Sequence, residues 1–441
     1  MLVVLSLTPG TSGLMGPDSV GYVEIASKFA AALSYGTLHG WDWLGPTPHL
    51  MPLFVWLISL CFLTFGPEHG PIAYVLIQGM FDAGTCVIVF TMASALAPRY
   101  AMPAAVAAVL NPTQVVLGGF VYTDTVFCFF CAAAIYGSMR WLKGHSLRSA
   151  ILIGAALGAA ALTRVLVVPF LAVLLPFLWA AGGRRHLFDA CRVGTLVVAG
   201  LVTAVLIAPV VARNVAVYGS WGLTAQSGMH TAFWIVPLVQ EAKDSTPYAV
   251  TAEEMHRKAA ARWKETPANP FEESRNYAEL ARESMLTLGV VPIAKAWVTG
   301  AVINLGAPAI VLPPPIANLP RTGFFATPGS SAFEKIQNYL FRSDNALYAR
   351  LLLLGVAGVA LCRIGQLLGL ASLARDRTAW PALGLFVLWC AYILAVNGPI
   401  ASPKYRLPIE PVLMVMLGAG ITAAAGRKNP VSGDAPAGSA R

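Results

Sequence analysis

The sequence predicts an all-α, polytopic transmembrane helical bundle of about 10–11 spans with loop helices on its outer face. Three observations lead there. Of 441 residues, 57% are hydrophobic and 12% charged, whereas soluble domains carry about 25% charged residues. Apolar runs joined by short connectors fill most of the chain, and the mean hydropathy is +0.66. Basic residues gather on alternate connectors, the bias that orients helices in a bilayer. The same bias accounts for the net charge of +9 and makes a nucleic-acid partner unnecessary.

In chain order, the candidate spans are Met1–Pro9, Pro71–Leu96, Ala101–Phe120, Thr125–Met139, Ile151–Leu162, Leu166–Ala181, Val193–Val211, Leu351–Leu373, Pro381–Val396 and Pro411–Ala425. The first is partial, so residue 1 is read as falling inside a helix. Several others are shorter than the ~20 residues that cross a hydrocarbon core, so their ends are expected to extend into the flanks. Arg99, then Arg140, Lys143 and Arg148, then Arg184, Arg185 and Arg192, then Arg375 and Arg377, then Arg427, Lys428 and Arg441 mark the cytoplasmic side. The outer side receives a first loop at 11–70, the turn "VYTDT", Thr163-Arg164, a large loop region at 215–345, and "PIASPKYRLPIE".

Two apolar stretches, Met51–Gly66 and Val290–Pro315, would reverse every later connector if counted as single crossings. They are therefore expected to be interfacial or re-entrant helices on the outer face. Between them, "TAEEMHRKAAARWKE" and "FEESRNYAELARESM" read as charged outer helices separated by "TPANP". Residues 426–441 have the composition of a disordered cytoplasmic tail. The organisation is one transmembrane domain over 1–425, without a detectable internal repeat.

The seven cysteines lie mostly in or beside apolar runs. Cys128 and Cys131 form a CxxC inside "TVFCFFCAAAIYG" with no second pair at zinc-like spacing, so both are read as small buried side chains. The scattered histidines offer no HExxH or paired spacing, and no zinc site is expected.

Asp18, in "GPDSVGYVEIASKFAAAL", has an ordinary role available as a helix N-cap. Tyr22 sits one turn on, along the same face. Asp124, in "VYTDTVFCFF", can likewise be a cap. Yet the charge pattern sets both carboxylates on the outer side near the membrane boundary, where burying one is costly without a partner or a task. Together they suit a general base and an electrostatic orienter. Against the orienting rule, cations also stand on this side: Arg164, Arg213 beside Asn214, and Lys404 and Arg406 flanking Tyr405. Singly, each is explained by snorkelling to headgroups. As a set they suit a phosphate or pyrophosphate at the leaflet surface. Asp82 is the one acid well inside a span, either a proton-relay group or a partner in an interhelical hydrogen bond near Gln78.

The order of these features resembles the GT-C-fold glycosyltransferases. The acid-plus-tyrosine segment, "PHLMPLFVWLISLCFLTFG", the acid at Asp124, "GAALGAAALTRVLVVPF", "APVVARNVAVYGSW" and "YRLPIEPVLMVML" look like the bacterial branch related to dolichyl-phosphate-mannose protein mannosyltransferases (glycosyltransferase family 39) and lipid A aminoarabinose transferase. The resemblance implies transfer of a hexosyl or pentosyl group from a polyprenyl-phosphate donor to an envelope lipid, glycan or protein. The reaction is then expected at the periplasmic or exterior face of a bacterial inner membrane, among membrane lipids. It implies that Asp18 is the general base and Asp124 the second acid, with Tyr22, Arg164, Arg213, Asn214, Lys404, Tyr405 and Arg406 contacting substrate or phosphate. The first-loop motif "PDSVGY" has one acid where many relatives have two, so no cofactor is expected and a divalent cation is not indicated. Nor is there a G-x-G-x-x-G of a nucleotide-binding domain. A transporter or flippase built around Asp82 is the alternative.

Overall fold

The computed structural model describes residues 12–181, 189–319, 328–342 and 346–426. The expected span Met1–Pro9, the tail at 427–441, and Arg184, Arg185, Arg427, Lys428 and Arg441 lie outside the described residues. Within them the secondary structure is helical. The sequence gives α1 (Ser19–Ser34), α2 (Pro52–Leu96), α3 (Pro98–Val109), α4 (Pro112–Leu117), α5 (Asp124–Gly144), α6 (Leu147–Thr163), α7 (Leu171–Ala181) and α8 (Ala190–Tyr218). The loop-region helices α9 (Val236–Asp244), α10 (Tyr248–Arg262), α11 (Pro270–Leu288) and α12 (Val290–Gly306) follow. The chain then returns through α13 (Ala346–Ala374), α14 (Trp380–Asn397) and α15 (Glu410–Ala424).

Among the described residues, seven helical segments are long and apolar enough to cross a membrane. Two shorter apolar helices, Leu147–Thr163 and Val165–Ala181, continue the alternation of the basic connectors. The second opens as a 3₁₀ turn, Val165–Phe170, before α7. The faster 3₁₀ rise stretches these residues to roughly 28 Å, close to the ~30 Å hydrocarbon thickness. A short span is thus lengthened by its local geometry.

The Met51–Gly66 stretch is the first limb of α2 and not a separate element. Gly66, at φ 76° and ψ 172°, breaks the helix, a conformation favourable to glycine and strained for any residue with a Cβ. There the chain doubles back: Phe54 meets Tyr74 edge-on at 5.5 Å, and Phe62 packs against Gly70. The 52–65 limb is therefore one arm of a helical hairpin, and at about 21 Å it is too short to cross. It packs on α1, with the Ser59 hydroxyl donating to Ala26 O at 3.0 Å.

Val290–Pro315 resolves into α12 and short turns, and α12 meets charged α11 at 106°. Val290, Val291, Val298 and Val302 of α12 are exposed, while Trp297 Nε1 donates to Ala395 O at 3.0 Å at the outer end of α14. The two charged outer helices form as expected, with Arg262 of α10 reaching Glu279 and Glu283 of α11 at 2.6 and 2.5 Å. These pairs are exposed and contribute little to stability.

Inside the bundle, α13 and α15 approach backbone to backbone. A Cβ at Gly420 would lie 1.9 Å from Gly365 O, and one at Gly369 would lie 1.8 Å from Met416 O. Small residues let membrane helices gain this packing where lipid offers no hydrophobic drive. Cys128 and Cys131 are buried free thiols. Arg192 is buried as well, donating to Leu178 O and Trp179 O and so closing the end of α7.

Candidate active site

Main-chain stitching brings Asp18 and Asp124 together. Gly16 N–H donates to the Ser19 hydroxyl at 2.9 Å, and that hydroxyl donates to Val121 O at 3.0 Å. Val121 N–H in turn donates to Leu14 O. From α2, Tyr74 Oη donates to Tyr122 O at 2.8 Å and Gln78 Nε2 to Phe120 O at 2.7 Å. These bonds pin the first outer loop against the turn that precedes α5, so Asp18 and Asp124 enter one site from residues far apart in sequence.

Neither carboxylate serves as a cap. Asp18 stands at the N-cap of α1 without a side-chain cap bond, and Thr123 at the N-cap of α5 makes none either. Instead Asp18 Oδ2 accepts from Lys404 Nζ at 2.6 Å, and Asp124 Oδ1 accepts from Arg164 Nη1 at 2.6 Å. The two pairs differ in wetness. The Asp124 side chain is 3% exposed and that of Arg164 24%, against 35% for Asp18 and 17% for Lys404. Lys404 Nζ also lies over the rings of Tyr122 and Tyr405, at 5.5 and 5.1 Å.

Tyr22 sits between the pairs, edge-on to Phe54 at 4.9 Å. Burial pushes its phenol above the usual value, and the charges of Arg164, Asp18, Asp124 and Lys404 all act on it. It is therefore a neutral hydrogen-bonding group among two cations and two anions. Burial opposes the charge of Arg164, but Asp124 and the surrounding phenols and acids outweigh it and hold the guanidinium firmly charged. The assembled site is close to neutral, built of charges that can exchange partners.

Other expected residues lie elsewhere. Arg406, 1% exposed, pairs with Glu410 and donates to Asn304 O, Leu305 O and Ala307 O at 2.8, 3.2 and 2.8 Å, and to Thr113 Oγ1 at 2.8 Å. Its donors close the C-terminal end of α12, so the geometry gives it an architectural task in place of carrier contact. Asn214 is fully buried and donates to Gly222 O and Leu223 O, shaping the turn after α8. Arg213 reaches Asn214 Oδ1 and Leu44 O, while its buried Nη2 has no hydrogen-bond partner. Asp82 accepts from Gln114 Nε2 of α4 at 2.8 Å. The interhelical bond expected there forms, with Gln114 as the partner.

His230 was missed. It lies on the one-turn helix Ser227–His230 and acts electrostatically with Arg164, Lys404 and Asp18. The sequence "SGMHTAFW" carries no spacing that would have singled it out. Among the described residues, no group of three or more His, Cys, Asp or Glu side chains is arranged to hold a metal ion.

Residues 47–212 match the family model described as dolichyl-phosphate-mannose-protein mannosyltransferase. That stretch includes Asp124 and Arg164 but not Asp18 or Lys404. No curated protein matches the chain significantly. Among solved structures, the apo oligosaccharyltransferase of Archaeoglobus fulgidus aligns over 96% of this chain and 50% of its own, at 15% identity and TM-score 0.51. ArnT from Cupriavidus metallidurans bound to undecaprenyl phosphate aligns over 96% of this chain and 77% of its own, at 16% identity and TM-score 0.39. The chain spans half the length of the archaeal enzyme, and its architecture is the GT-C fold.

Proposed function

With that fold and family match as premise, we propose that the chain is a membrane glycosyltransferase that moves a sugar from a polyprenyl-phosphate carrier to an envelope lipid, glycan or protein at the outer face of a bacterial inner membrane. The observation that carries the reading is the pair of ion pairs, Lys404–Asp18 and Arg164–Asp124, around the half-buried phenol of Tyr22 at one end of the bundle. The matched family's name supplies the donor class, a sugar on a lipid phosphate.

The chemistry follows from the charges. A polyprenyl tail partitions into the bilayer and leaves its phosphodiester at the interface, level with Lys404 and Arg164. As it binds, the phosphate takes over the ammonium that Asp18 holds at rest and bonds the guanidinium alongside Asp124, because charge-assisted bonds to phosphate suit both groups. Asp18, released from Lys404, is then free to accept the proton of the acceptor hydroxyl or amine. The acceptor atom bonds to the anomeric carbon while the carbon–oxygen bond to phosphate breaks. The electron pair leaves on the phosphate, whose added negative charge Lys404 and Arg164 stabilise. Attack from the face opposite the leaving group inverts the anomeric centre. Asp124 keeps Arg164 oriented throughout, and Tyr22 offers a neutral donor to the sugar or phosphate.

The test uses protein purified into nanodiscs with a panel of labelled polyprenyl-phosphate hexoses and pentoses and an envelope lipid and glycan extract. Label is expected in one acceptor class, with transfer abolished in Asp18→Asn although carrier still binds. Full transfer by that variant sinks Asp18 as base, and wild-type protein that neither binds any carrier nor transfers from it sinks the reading.

A further inference from the structure

Resting on that reading and naming a further group of the same site, we propose that His230 is a carrier-binding residue whose ring donates a hydrogen bond to a phosphate oxygen and takes up a proton when the phosphate monoester binds.

The fold holds this imidazole in place. The strap that carries it is tied to the first outer loop, with Ala225 N–H donating to Pro48 O at 3.2 Å and Thr224 Oγ1 to His49 O at 3.2 Å. Two residues before the histidine, Gly228 N–H donates to the Ser274 hydroxyl of α11 at 3.0 Å. A Cβ at Gly228 would sit 1.8 Å from Ser274 O, so only glycine permits this approach. Directly after His230 the helix widens into a π turn, Thr231–Ile235, a geometry frequent at functional sites. That turn brings Trp234 under the ring, stacked at 5.7 Å and 20°. Ring position is thus fixed by a strap, a close backbone approach and a stack. None of these uses a ring nitrogen, and no hydrogen bond engages either nitrogen among the described residues.

Charge supplies the second argument. The charged groups whose fields reach His230 are Arg164, Lys404 and Asp18. Burial, followed by the two cations, pushes the imidazole below the usual histidine value, while Asp18 pulls the other way. At rest the ring is therefore neutral near neutral pH and adds no third positive charge to the site. A bound phosphate monoester reverses the field at that position, and the protonated ring becomes the favoured form. By linkage, the carrier binds more tightly to the protonated site, and release of the monoester after sugar transfer is helped by loss of the same proton.

The experiment measures binding of a water-soluble ten-carbon prenyl monophosphate to full-length protein in nanodiscs by calorimetry. Wild type, His230→Gln and Lys404→Met are compared at about pH 6 and about pH 8. Gln keeps a neutral donor and cannot take the proton. His230→Gln is therefore expected to weaken binding about tenfold at the lower pH, as for a shift of about one pKa unit, and to bind within about threefold of wild type at the higher pH. Heats in two buffers of different ionisation enthalpy should show proton uptake by the wild type and its reduction in His230→Gln. Equal affinities for wild type and variant at both pH values overturn the assignment, and so does a loss of the same size at both, which would mark a packing role. If the wild type binds no monophosphate, or Lys404→Met binds as tightly as wild type, the functional reading fails and the assignment falls with it.

Discussion

Replacing Asp18 by Asn is expected to tighten carrier binding while stopping transfer. In the resting site Lys404 Nζ gives a 2.6 Å bond to Asp18, and a phosphate must displace that bond before Lys404 can serve it. With 35% and 17% of the side chains exposed, the pair is neither a surface nor a fully buried one. Exposed pairs contribute about 0.2–1 kcal/mol, and breaking a buried one costs about 3–5 kcal/mol. An intermediate value of about 1.4 kcal/mol corresponds to a factor of about ten in affinity. Asn keeps the shape and removes the charge, so the variant should bind the same prenyl monophosphate about tenfold more tightly in calorimetry. Transfer of labelled sugar should fall by roughly 10²–10⁴, the range for losing a general base. Weaker binding by Asp18→Asn would refute the partner exchange, because it would mean that the carboxylate helps to hold the phosphate. Unchanged turnover would refute the base.

The second pair should respond unequally to loss of either member. Arg164→Met strands the 3% exposed Asp124 carboxylate and is expected to cost about 3–5 kcal/mol, whereas Asp124→Asn leaves a guanidinium that water can reach and should cost less. Thermal midpoints in one detergent check this, and equal losses would count against it. Gly420→Ala should separate α13 from α15, since the new Cβ falls about 1.5 Å short of ordinary contact with Gly365 O; a cost of about 1–3 kcal/mol is expected, and an unchanged midpoint would refute the close packing. Acidification should also destabilise the outer loops. Burial pushes His49 below the usual histidine value although Glu273 raises it, so the folded state binds fewer protons than the unfolded one. Stability is then present above the ordinary histidine pKa of ~6.5 and lost as pH falls below it. The midpoint should drop between about pH 7 and about pH 5, and His49→Gln should flatten the drop.

Much of the bundle was legible because hydropathy and connector charge are local signals. Arg99, Lys143 and Arg377 marked one end of the bundle from sequence alone. The reversal within α2 was legible only in outcome: charge counting showed that Met51–Gly66 could not be a crossing, while the means, a positive φ at Gly66, is a backbone property no pattern announces. In the site, cations on connectors where the charge pattern expects none drew the eye to Arg164 and Lys404. Their partners were hidden, since Lys404 and Asp18 stand 386 positions apart. Lys404 and Arg406 read alike in sequence, yet the turn Pro403–Arg406 sends one to the site and the other into the packing under α12. His230 had no signal, because its place depends on a strap, a glycine contact and a π turn that exist only after folding.

Arg406 has a mechanical consequence. Its guanidinium clasps three carbonyl groups at the end of α12, and Asn304 of that helix exchanges bonds with Ile400 O and Ser402 N–H at 3.0 and 2.8 Å. Lys404 lies inside this clasp, two residues from each of its jaws. Helix α12 and the Lys404 ammonium therefore share one rigid mount: an ångström of travel in α12 must either shear these hydrogen bonds or carry Lys404 along.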